Sequence, residues 1–152
     1  MQTVNVPAGR LGIPEDDFQH MLDEACRRWH ADQHNRYVAG VTAALTWVAG
    51  LRDEDPLTAQ IRPASPDAQL RMRVSAAAIV MNTPDPVLDL TGTVHPEWAA
   101  GVERALAWVC GPDDDAGRPP QPPPLPSPQP GDVRPWDQHQ MRGGEQDGRT
   151  AA

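Results

Sequence analysis

The chain has 152 residues, a net charge of −8, 18 prolines and no lysine, so every strongly basic side chain is an arginine. That length suits one domain plus a remainder that is not core material, because ten of the prolines fall between Pro112 and Pro135. Up to Gly111 nine arginines stand against fourteen acidic residues, a balance that argues against nucleic acid as a partner because phosphate backbones demand a basic footprint.

Cys26 and Cys110 alone make neither a disulfide framework nor a zinc pattern. Residues Met1 to Asp17 lack the basic and apolar regions of a secretory signal. The longest dense apolar run, Val74 to Met81, falls well short of the roughly 20 residues that span a bilayer. The expected setting is cytoplasmic, with no membrane contact.

In chain order, residues 1–13 show no period and read as a loose arm. Pro14 suits a first helical position, and Glu15, Asp16 and Asp17 follow where the helix dipole favours anions. From there Phe18, Leu22, Ala25, Cys26, Trp29 and Gln33 recur at helical steps. The polar segment 31–36 interrupts this stripe and favours a bend, with Asp32 or Asn35 capping a fresh helix over Arg36 to Ala49 that stops at Gly50. Residues Leu51 to Ala64 read as a connection. Ser65 and Pro66 open a third helix that ends near Asn82, although Leu70, Met72 and Val74 also alternate as in a strand. Asp85 to Val94 reads as extended, and Pro96 opens a last helix that stops at Gly111.

The clearest internal signal is a repeat. Tyr37–Gly50 reads YVAGVTAALTWVAG and Trp98–Gly111 reads WAAGVERALAWVCG, with eight of fourteen positions identical. Glycine inside a helix costs about 1 kcal/mol against alanine, so Gly40 and Gly101 at one shared position call for a packing reason. Gly40 with Ala44, and Gly101 with Ala105, would give each helix a groove for close backbone approach, with Trp47 and Trp108 sealing the edge. The predicted fold is all-α: a small four-helix bundle-like domain over 14–111, its second helix packed on its fourth in pseudo-twofold fashion. Residues 112–152 form a proline-rich, polar tail with too little apolar surface to order itself.

Few residues suggest chemistry. His30 and His34, four apart with Asp23 and Cys26 nearby, are the one pattern with zinc-ligand spacing, though the Glu of a zinc-protease motif is absent. Solvated histidines beside an apolar stripe are the plainer interpretation. The acidic clusters 15–17 and 53–55 sit at a helix start and in a connection, where dipole complementarity and solvation account for them. No phosphate loop, nucleophile elbow or CxxC pair is present, and the cofactor, if there is one, is unknown. In the tail, PxxP spacing within RPPQPPPLPSPQP (118–130) suits either a spacer or a ligand for an aromatic groove, and Trp136 offers a partner an anchor. The function expected is non-enzymatic: a protein-interaction or regulatory helical protein that binds a partner or itself. A metal-binding protein or metal-dependent enzyme using His30 and His34 is the alternative.

Overall fold

The structure is a computed structural model that describes residues 4–111 and 121–126. The expectations placed on 1–3, 112–120 and 127–152, including Trp136, lie outside the described residues. Four helices form among the described residues: α1 (Glu15–Ala31), α2 (Arg36–Val48), α3 (Pro66–Met81) and α4 (Pro96–Val109). The fold is all-α, as the periodicity predicts.

Helix α1 starts at Pro14 without a side-chain cap, and its acidic first turn complements the exposed N–H groups instead. It buries Phe18, Leu22 and Ala25. The chain leaves the helix at Asp32 (φ −145°), so Gln33 falls past the stripe it was expected to extend. Asn35 then caps α2, its Oδ1 accepting from the Val38 N–H at 3.1 Å. In α3 the Ser65 hydroxyl caps Ala68 N–H and Asn82 ends the helix in the left-handed conformation (φ 52°). The strand alternative is thereby settled: Met72 is buried while Leu70 and Val74 are exposed.

The repeat occupies the centre. Helix α2 packs most extensively on α4, α1 lies on α2, and α3 lies on α4. A Cβ added at Gly40 would sit 2.2 Å from the Trp98 carbonyl oxygen, and one added at Gly101 would sit 2.2 Å from that of Tyr37. Tyr37 and Trp98 are equivalent positions of the repeat, so each glycine receives the backbone that heads the other copy. That reciprocity is the pseudo-twofold relation expected from the sequence. Ala44 and Ala105 are fully buried beside the glycines, and Trp47 and Trp108 are 1% and 6% exposed. Phe18 of α1 stacks on Trp108 with centroids 6.5 Å apart. Gly50 (φ 78°) and Gly111 (φ 87°) follow the two repeated helices, a left-handed conformation that glycine adopts without a Cβ clash.

Two expectations need correction. Residues 4–13 are not loose: Val6 is buried, and Val4, Leu11 and Ile13 pack against the core. Arg10 O accepts from the Gln69 side chain at 3.0 Å, and Gly12 N–H donates to Val109 O at 2.8 Å. An irregular strap of turns and bends whose hydrogen-bond partners are distant in sequence has no period to display. The stretch 85–94, expected to be extended, instead turns around Asp85. The Asp85 carboxylate accepts from the N–H groups of Val87, Leu88 and Leu90 and from the Ser75 hydroxyl.

A second duplication emerges here. Asp55 accepts from Leu57 N–H, Thr58 N–H and the Thr58 hydroxyl in a matching turn. Each aspartate is followed by proline and, four residues on, by a residue of positive φ (Ala59 57°, Asp89 54°). Ten residues after each comes a helix cap followed by proline, Ser65-Pro66 and His95-Pro96. No helix among the described residues is long and apolar enough to cross a membrane.

Candidate functional site

Helix α3 is apolar on two opposite sides. Ala68, Met72, Ala76 and Ile79 face the core. Leu70, Val74, Ala77 and Met81, spaced by four, three and four, form a stripe on the other side. Leu70 is 53% exposed and Met81 66%, with Val74 and Val80 also open to solvent. Arg71 and Arg73 border the stripe. The alternation that made this segment ambiguous in sequence is thus a core face and an outer face interleaved on one helix.

Two shallow clefts flank the 51–64 connection. One of about 400 Å3 is lined by Arg36, Arg52, Leu57, Val94, His95 and Trp98, among others. Another of about 310 Å3 is lined by Arg10, Trp47, Arg52, Asp53 and Arg62, among others. Most of these cations already have partners: Arg10 Nη1 donates to Val48 O, Arg62 approaches the buried Asp55 at 3.9 Å, and Arg52 approaches Glu54 at 3.7 Å. His95 caps α4 with Nδ1, which accepts from Glu97 N–H at 3.2 Å, while its Nε2 lies 2.7 Å from Arg36 Nη1. A neutral imidazole has a single acceptor nitrogen, so these two demands compete.

The residues singled out from sequence separate into two groups. Gly40, Gly101, Trp47 and Trp108 meet in the core and serve packing. Trp47 Nε1 also donates to Arg62 O at 2.7 Å, and Trp98 Nε1 to Pro56 O at 2.7 Å, so both indoles fasten the 51–64 connection to the helices. His30 and His34 do not share a helix face, because α1 ends at Ala31 between them. His30 is exposed with its ring tilted 5.2 Å from that of Trp29, and His34 is exposed, its backbone N–H bonded to Asp32. Burial, reinforced by the nearby Asp23, pushes the Cys26 thiol up, away from the thiolate a metal would need. Among the described residues no group of three or more His, Cys, Asp or Glu side chains is placed to hold a metal ion.

Tyr37 stands apart. Its hydroxyl is buried without a hydrogen-bond partner, whereas the indole N–H of its repeat counterpart Trp98 is satisfied. Burial raises the Tyr37 pKa, with Arg104 opposing and Glu103 reinforcing the rise. Against family models, curated proteins and solved structures, the chain finds no match.

Proposed function

We propose that this chain is a non-enzymatic protein-interaction or regulatory protein, with the outer face of α3 as its docking surface. The observation that supports this reading is the stripe of exposed Leu70, Val74 and Met81 with half-buried Ala77 among them, set opposite a packed core face. Contiguous apolar surface of this kind is costly in water unless a partner covers it, and helical spacing suits an amphipathic helix laid along it. The bordering Arg71 favours an acidic flank on that partner.

A Leu70→Glu, Met81→Glu double variant tests the reading, because both side chains point away from the core. Its helicity and melting temperature should match wild type, while a protein that co-purifies with the wild-type chain, or self-association seen by sedimentation, should be lost. If wild type and variant retain the same proteins and the same sedimentation behaviour, α3 is not the docking surface.

A further inference from the structure

The proline-rich segment Gln121–Pro126 lies against the helical domain. Pro123 is buried while Gln121, Pro122, Pro124 and Pro126 are exposed. Leu125 packs against the hydrophobic core. Arg28 of α1 donates from Nη1 to the Pro126 carbonyl oxygen at 3.1 Å. Its Nε is meanwhile bonded to the Glu24 carboxylate at 2.9 Å, which fixes the guanidinium and leaves one edge free to meet the segment.

This arrangement fits the chemistry of the ligand. Proline has no N–H, so a polyproline backbone can be recognised only through its carbonyl oxygens, and a guanidinium is a rigid donor suited to that task. Polyproline II loses little entropy on docking, because it is extended before it binds. Within RPPQPPPLPSPQP, Leu125 is the one apolar residue other than proline, and it packs on the core two residues from the buried Pro123. The contact therefore selects a particular register of the run.

We propose that the surface beside Arg28 is a receptor for proline-rich segments carrying a single aliphatic residue, and that the chain's own Gln121–Pro126 occupies it intramolecularly. The domain is the reader of the proline motif, and the tail is its resident competitor. Nine residues separate Gly111 from Gln121, a tether that gives an effective concentration in the millimolar range. A segment whose intrinsic dissociation constant is about 100 µM would then keep the site roughly 90% occupied, and an external ligand would bind about ten-fold more weakly to the closed chain. This surface is separate from the outer face of α3, and either can fail without the other.

The test uses the full-length chain and a fluorescent peptide of sequence QPPPLP. Leu125→Asp should release the segment and tighten peptide binding about ten-fold relative to wild type, with helicity unchanged. Adding Arg28→Gln to that variant should weaken binding several-fold. Equal binding by wild type and a folded Leu125→Asp chain overturns the proposal, as does indifference to Arg28→Gln. A second measurement needs no variant: in the wild-type chain the Leu125 methyl groups should show nuclear Overhauser contacts to core side chains, unchanged on dilution. Their absence, or their loss on dilution, overturns intramolecular occupancy.

Discussion

The Cα of Gly40 lies so close to α4 that a methyl group on it would sit 2.2 Å from the carbonyl oxygen of Trp98. Glycine to alanine in a helix interior ordinarily stabilises by about 1 kcal/mol. Here the sign reverses, because the obstacle is backbone and cannot swing aside. Gly40→Ala is expected to destabilise by about 2–3 kcal/mol as the helices are forced apart, and Gly101→Ala, which meets the Tyr37 carbonyl, by a similar amount. Chemical denaturation of the two variants checks this, and an unchanged or raised midpoint for either would refute the close approach.

Trp47 and Trp108 occupy equivalent places and are both buried. Truncation of either to alanine is expected to cost about 3–5 kcal/mol. Trp47→Phe separates packing from hydrogen bonding: it keeps most of the ring but leaves Arg62 O without its donor, a loss of about 1 kcal/mol. A Trp47→Ala or Trp108→Ala chain that melts within a degree or two of wild type would contradict the shared core.

Tyr37→Phe should be neutral or stabilising by up to about 1 kcal/mol. Removing a buried hydroxyl that has no partner relieves its desolvation cost and leaves no other group unsatisfied. For a domain of this size such a gain raises the melting temperature by about 4–8 °C at most. A clear loss of stability would reveal a hydrogen bond from this hydroxyl.

His95→Asp is expected to stabilise by about 1 kcal/mol. Aspartate is a stronger cap than histidine and complements the helix dipole, and its substitution ends the competition for one imidazole acceptor. Thermal melts at low and high salt measure the gain, and destabilisation would show that the imidazole itself is required.

The Asp85 carboxylate supplies a dependence on acid. Burial works against its charge, but the N–H groups of Val87, Leu90 and Leu88 and the Ser75 hydroxyl outweigh burial and hold its pKa below the ordinary carboxylate value. Its stabilisation is therefore fully present above the unfolded-state pKa of about 3.9 and disappears as pH falls through the lower, folded value. Asp85→Asn turns an amide N–H2 towards the Leu90 N–H and should cost about 1–3 kcal/mol at neutral pH. Urea titrations at several pH values should show this difference shrinking below about pH 4, and a difference that widened in acid would reverse the assignment.

Much of the fold was legible because its signals are local or repeated. Asn35 and Ser65 announce their helices by cap chemistry, and the matched glycines at 40 and 101 point to a helix pair before any coordinate is known. The strap over 4–13 was not legible, since its anchors are satisfied by Gln19, Val48, Gln69 and Val109 rather than by neighbours. The turns at Asp55 and Asp85 were missed for another reason. Their likeness resides in backbone conformation and hydrogen bonding, and only the Asp-Pro pair and the later cap-proline pair show it in letters. The outer face of α3 was visible as apolar residues, but its exposure depended on knowing which side meets α4. The bond from Arg28 to the Pro126 carbonyl joins residues nearly a hundred positions apart, and composition described the proline segment only as a spacer or a ligand.

Gly12 and Gly111 face each other where the strap meets the end of α4, with Gly12 N–H bonded to Val109 O and room for no side chain on either residue. Entrance and exit of the helical unit are therefore a single neighbourhood. A unit closed in this way can be strung into a longer polypeptide at one point without spreading the flanking segments.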